Sequence, residues 1–239
     1  MNPAQTDFAR TNRAQMTSAA PRDSAGAARL AFAASAATLV LLGALHVLSP
    51  EFAPSWRMVS EYANGQYGLV LSLMFACWAV GSWALAYGLM PQVIGRGGKI
   101  GLVFLVAAGL GEAMASVFDI KHSLHGVSAL IGIPSLTIAA MLISISLGRT
   151  AGWAAARKAL LWTANLTWIS LILMAAAFAV LIITYRQAGG DMAAGTEITA
   201  LPEGVIALVG WANRFLVIAY CAWVMTTAWY LTLMRNPQS

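Results

Sequence analysis

Charged residues are scarce in this chain: Asp, Glu, Lys and Arg together make up 10% of its 239 residues. A soluble domain usually carries about a quarter of its residues charged, so this scarcity excludes an ordinary soluble fold. Hydrophobic residues account for 59% of the chain, and the mean hydropathy is positive. The composition therefore predicts a protein that crosses the membrane several times.

Cysteine is also scarce. Cys77 and Cys221 are the two cysteines, both lie in apolar segments, and no CxxC motif is present. This usage argues against a disulfide framework and favours small buried thiols. The net charge of +5 does not indicate a nucleic-acid partner, because the basic residues flank apolar segments and so concern membrane topology.

Six apolar segments reach the length of about 20 residues that a helix needs to span the hydrocarbon core. They cover approximately residues 30–48, 67–89, 100–118, 126–147, 159–185 and 206–234. The predicted fold is therefore all-α, a bundle of six transmembrane helices that forms one domain over residues 29–235. Residues 1–28 are predicted to be a disordered basic tail, and residues 236–239 a short tail.

The distribution of Lys and Arg predicts the orientation. Ten of the fourteen lie in the tails and in the second and fourth loops, three lie in the other loops, and one is inside a span. Because basic residues accumulate on the cytoplasmic side, both termini are predicted to be cytoplasmic. The expected location is a cell membrane, with the lipid bilayer as the principal partner.

Two opposite charges, Glu112 and Arg214, stand inside otherwise uncharged spans. A lone ionised side chain at that depth costs several kcal/mol, so such residues usually face a protein interior, pair with each other or mark a working site. We expect the two to meet as a buried pair, either as the floor of a pocket or as a clamp between helices. In the same span as Glu112, a stripe of small residues at Ala107, Gly111 and Ala115 predicts close helix contact and a central position.

Other polar residues gather near the predicted extracytoplasmic boundary. The candidates for the mouth of an outward-facing polar pocket are His46, Ser60, Glu61, Asp119, His125 and Asn213. The pocket is predicted to bind a small molecule or a lipid headgroup. Ser60 and Glu61 also have a plainer interpretation, as a helix cap and an acid at a helix N-terminus.

A metal site is a further hypothesis. Asp119, His122 and His125 have a spacing that resembles a ligand set, and His46 is a candidate for a fourth ligand. Zinc in such a set would activate water for hydrolysis. The alternative is that Asp119 or Ser123 caps the next helix while the histidines face lipid headgroups. No cofactor is firmly predicted.

Several short motifs carry a family resemblance. They are His46, Leu48-Ser49-Pro50-Glu51, Val59-Ser60-Glu61-Tyr62-Ala63, Tyr67-Gly68, Phe118-Asp119, His125-Gly126 and an arginine near the start of the last span. With these motifs in this order, residues 30–235 resemble the prokaryotic membrane family catalogued as domain of unknown function 998. The resemblance implies a multi-span inner-membrane protein and no established activity.

A fainter likeness, of chemistry alone, is to zinc-dependent membrane hydrolases of the alkaline ceramidase and adiponectin-receptor type, although six spans and the lack of an HxxxH pair separate this chain from them. Three alternatives to simple ligand binding therefore stay open. They are a metal-assisted hydrolase or transferase acting on a lipid-linked substrate, a proton-coupled transporter using Glu112, and a structural or partner-binding membrane protein.

Overall fold

The computed structural model describes residues 22–190 and 200–234. The predicted tail at 236–239 and residues 1–21 of the predicted N-terminal tail lie outside the described residues. The long helices are α1 Arg22–Leu48, α2 Gly68–Leu89, α3 Gly95–Val117, α4 His125–Gly148, α5 Arg157–Gln187 and α6 Val209–Leu233. Two short 3₁₀ helices, Val59–Asn64 and Ala151–Ala156, lie in connections.

All six long helices are long and apolar enough to cross a membrane. Inside lipid, every backbone N–H and C=O must be paired within the protein, which a continuous helix achieves by itself. The predicted all-α architecture with six spans is therefore confirmed, and most helix ends fall within a few residues of the predicted ones.

The start of α1 differs from the predicted domain boundary. The helix begins at Arg22, so residues 22–28 are helical, and Ala25 and Ala28 are buried. Small side chains let this turn approach α2, where a Cβ on Gly88 would lie 3.2 Å from the Ser24 carbonyl oxygen. Ala and Ser contribute little to the hydropathy of a segment, so the sequence predicts residues 22–28 as part of the tail and not as part of the helix.

The helices form a ring in chain order, each packed against the next, and α6 closes the ring against α1. The connections α1–α2, α3–α4 and α5–α6 lie at one end of this bundle, which we call the upper end. Helix α6 also contacts α2 and α4, and 56% of the most apolar part of α6 is buried, against 33% for the corresponding part of α3. The expectation that the third span is central is therefore wrong, and α6 holds that position.

The close helix contact predicted for the third span is confirmed at Gly111. A Cβ on this residue would lie 2.5 Å from the backbone nitrogen of Gly132 in α4. The backbones of α3 and α4 thus touch directly, as small residues permit in membrane bundles.

Candidate ligand-binding cavity

A cavity of about 290 Å³ opens among α2, α3, α4 and α6 beneath the upper end. It extends from the 3₁₀ helix Val59–Asn64 and the start of α4 down to Tyr220. On α6 the lining runs from Asn213 to Tyr220, which corresponds to a depth of roughly 10 Å at 1.5 Å per residue. Its walls are mainly apolar, with Phe75 and Trp78 on α2. The wall of this cavity is thus less polar than that of the pocket predicted from the sequence.

Glu112 supplies the one acidic group among the described residues that line the cavity. Its side chain is 6% exposed, and Oε2 accepts a hydrogen bond of 2.8 Å from Ser82 Oγ on α2. No other group in the described part of the chain donates to this carboxylate, so Oε1 is without a partner. A carboxylate in this situation retains unused capacity to accept hydrogen bonds.

The predicted pair between Glu112 and Arg214 is wrong. Within residues 22–190 and 200–234, the one salt bridge joins Arg57 Nη1 and Glu61 Oε2 at 2.6 Å. Arg214 sits in the second turn of α6 and lies closer to the upper end than its position in the predicted span implied, since α6 begins at Val209 rather than at residue 206. Arg214 does not line the cavity, so it is not part of its floor.

Arg214 instead binds four acceptors at the upper end and is 3% exposed. Its partners are His46 Nε2 at 2.6 Å, the Arg57 carbonyl at 2.7 Å, Tyr62 Oη at 2.9 Å and the Gly210 carbonyl at 3.0 Å. Because the guanidinium group has only donors, arranged in a rigid fork, it suits this set of acceptors. Arg214 therefore fastens α1 and the α1–α2 connection to α6.

The hydrogen bonds of His46 define its tautomer. Nδ1 lies 2.7 Å from the Leu42 carbonyl oxygen, which can only accept, so Nδ1 carries the proton. Nε2 then offers its lone pair to Arg214 Nε, a donor in every protonation state. Both ring nitrogens are thus engaged, and His46 has no free nitrogen for a metal ion.

Other contacts hold the α1–α2 connection in place. Glu61 accepts from Arg57 and, through Oε1, from the backbone N–H of Met58 at 2.7 Å. Asn213 Oδ1 accepts from the backbone N–H of Val59 at 2.8 Å. Glu61 therefore stabilises the connection and does not line the cavity, whereas Asn213 and Ser60 lie on the cavity wall.

The α3–α4 connection separates the remaining candidates. Asp119 lies past the end of α3, is exposed, and accepts from the backbone N–H of Lys121. His122 is also exposed and stacks on Phe118, with ring centroids 4.5 Å apart. His125 lines the cavity, and its Nδ1 donates to the Phe118 carbonyl at 2.9 Å.

The proposed metal ligands are not assembled. Across the described ranges, no group of three or more His, Cys, Asp and Glu side chains is placed to hold a metal ion. His46 belongs to the Arg214 network, Asp119 and His122 face outward, and His125 lies at the cavity.

Sequence reasoning missed residues that build the lower part of the cavity. Tyr220 donates to the Ile133 carbonyl at 2.8 Å and also bonds the Thr137 hydroxyl. Trp78 stands edge-on to Tyr220, with centroids 6.1 Å apart. An aromatic residue in an apolar span is not distinctive by itself. Ser82, which donates a hydrogen bond to Glu112, is a serine in an apolar span and is not distinctive in the sequence either.

The family comparison extends over most of the chain. The family model described as "Protein of unknown function (DUF998)" matches residues 32–230. The chain belongs to this family. Comparisons with curated proteins and with solved structures give no match. The description of the DUF998 family names no activity, so the function is inferred from the geometry of the cavity.

One prediction concerns Gly210, where α6 meets the α1–α2 connection. Its N–H donates to the Ser55 carbonyl at 2.9 Å, and a Cβ there would overlap the carbonyl oxygens of Pro54 and Arg57. Gly210→Ala is expected to lower stability by about 1–3 kcal/mol, as overpacking does. The thermal midpoint in detergent measures this loss. Gly26→Ala, whose Cβ meets nothing within 4 Å, is the control, and equal midpoints for the two variants would contradict the prediction.

Proposed function

We propose that this DUF998 protein is a membrane-embedded binding protein for a small amphipathic molecule, which it holds in the cavity beneath the upper end. The cavity itself carries the proposal. Its volume of about 290 Å³ is close to the lower end of the range found for small-molecule sites, and its mainly apolar walls with few polar groups are typical of them.

The polar groups support an amphipathic ligand. Ser60, His125 and Asn213 lie toward the upper end, whereas Glu112 lies deeper among apolar side chains. A molecule with an apolar body and a polar group would match this distribution. This distribution of polar and apolar residues supports the binding of such a molecule, and binding requires no chemical step.

The orientation is part of the same proposal. The bias of ten basic residues against three supports cytoplasmic termini, and the membrane we propose is the inner membrane of a prokaryotic cell. The cavity would then face the extracytoplasmic side, where it receives ligands from outside the cell or from the outer leaflet.

Filling the cavity tests this function. Ala129 on α4 lines it, and Ala129→Leu is expected to weaken binding of octanol, a neutral amphiphile, by about tenfold, because added methyl groups occupy the ligand's space. Binding of radiolabelled octanol to the protein in lipid nanodiscs measures the effect, with empty nanodiscs subtracted.

The control is Ala176→Leu, which adds the same volume on an exposed position of α5 and is expected to leave octanol binding unchanged. Octanol binding that is the same in wild type, Ala129→Leu and Ala176→Leu would place the binding outside the cavity. Failure of the wild type to bind octanol, octylamine and octanoate above empty nanodiscs would overturn the proposal.

A further inference from the structure

We infer that the ligand presents a positively charged nitrogen to Glu112, so that the cavity selects cationic amphiphiles over neutral and anionic ones. This inference rests on the proposed function and names the class of ligand. The juxtaposition that carries it is a buried carboxylate with a free oxygen at the wall of an apolar cavity.

The first observation is the unsatisfied state of Glu112. The side chain is more than nine-tenths buried and lines the cavity, with Ser82 as its hydrogen-bond donor among the described residues. No Lys, Arg or His of those residues lies within salt-bridge distance of it. Burying a carboxylate is costly unless it is paired. A ligand cation in the cavity supplies the missing partner.

The second observation is the sign of the lining. None of the described residues that line the cavity is Lys or Arg. Nδ1 of His125 is used as a donor to Phe118, so in the neutral imidazole Nε2 is an acceptor. A phosphate or carboxylate would therefore find no Lys or Arg partner among these residues, whereas an ammonium group would find acceptors in Glu112 and His125.

The third observation is the aromatic content of the wall. Phe75 and Trp78 stack with centroids 6.2 Å apart, and Trp78 stands edge-on to Tyr220. All three line the cavity together with Glu112. Aromatic faces attract cations, and Trp does so most strongly. The same rings also offer an apolar surface to the body of the ligand.

Three probes with one chain length test the inference: octylamine, octanol and octanoate, which at neutral pH are cationic, neutral and anionic. Their binding to wild-type protein in nanodiscs is measured with empty nanodiscs subtracted. Octylamine is expected to bind at least about tenfold more tightly than octanol, because its ammonium group can form a charge-assisted hydrogen bond with Glu112. Octanoate is expected to bind most weakly.

The variant Glu112→Gln keeps the size of the side chain and its acceptor for Ser82. It is expected to remove the preference for octylamine, so that octylamine and octanol bind the variant with about equal affinity. The matched control is Glu203→Gln, which removes an exposed carboxylate outside the cavity and should preserve the preference for the amine.

The outcomes separate the two proposals. Equal binding of octylamine and octanol by the wild type overturns the cationic class and leaves the binding function standing. A preference for octylamine that persists in folded Glu112→Gln also overturns it. If Glu112→Gln does not fold, the order of the three probes on the wild type still decides. No binding of any probe overturns the proposed function itself.

Discussion

Replacing Arg214 with alanine is expected to be the most damaging single change at the upper end. The substitution removes the donor for His46, the Arg57 carbonyl and the buried Tyr62 at once. Hydrogen bonds to charged groups contribute about 1.5–3 kcal/mol each, and an unmade buried one is costly. A loss of about 3 kcal/mol or more is expected, seen as a fall of roughly 5 °C or more in the thermal midpoint.

Double-mutant cycles give this prediction its control. Arg214 and Tyr62 share a hydrogen bond of 2.9 Å, so Arg214→Ala combined with Tyr62→Phe is expected to show a coupling of about 0.5–3 kcal/mol. Arg214→Ala combined with Glu112→Gln is expected to be additive, since no salt bridge joins these two described residues. Strong coupling of Arg214 to Glu112 with none to Tyr62 would contradict the network.

The second large effect is expected at Gly111, in the contact between α3 and α4. Gly111→Ala places a Cβ 2.5 Å from the backbone nitrogen and 2.6 Å from the Cα of Gly132. Backbone atoms cannot rotate away as a side chain can, so the two helices must separate. Overpacking of this kind costs about 1–3 kcal/mol and occasionally more. The thermal midpoint in nanodiscs is expected to fall accordingly.

The same Gly→Ala substitution on the facing helix, at Gly132 of α4, is the matched control. A Cβ on Gly132 would lie 3.5 Å from the nearest atom, the Cα of Gly111, which is ordinary contact. Gly132→Ala also gains helix propensity of up to about 1 kcal/mol. It is therefore expected to be neutral or stabilising. Equal destabilisation by the two substitutions would show that the helices do not cross as described.

The sequence predicts the architecture well because the length and the hydropathy of a segment are enough to identify a membrane-spanning helix. Helices α2 and α4 begin and end within a residue or two of the predicted limits. The start of α1 escapes detection because Ala25 and Ala28 pack by their small size rather than by hydropathy. The central position of α6 cannot be predicted from the sequence either, since residues that face lipid and residues that face the core are both apolar.

The site is predicted less completely, for a physical reason. Glu112, His125, Ser60 and Asn213 do line one cavity. A charge in a span signals that it needs a partner, but the sequence does not say which one. Arg214 donates its hydrogen bonds to neutral acceptors, among them His46 and Tyr62. His46 is brought near by the packing of α1 against α6, and Tyr62 by the α1–α2 connection, and no local sequence pattern specifies either arrangement.

The alternatives make their own predictions. A metal-assisted enzyme requires bound transition metal that is lost on His125→Ala, and a proton-coupled transporter requires uptake whose pH dependence changes in Glu112→Gln. Both can be measured on the same purified material. Neither outcome is needed for a protein that only binds its ligand.

Reaction of a thiol placed in the cavity tests the central claim most directly. In a Cys77→Ala and Cys221→Ala background, Ala129→Cys puts the thiol on the cavity wall, and Ala139→Cys puts one in the closed core of α4. A small methanethiosulfonate reagent is expected to modify the first and not the second, and octylamine or octanol should slow that reaction. A thiol at position 129 that reacts no faster than one at position 139, or whose reaction neither amphiphile slows, would contradict a ligand-binding cavity.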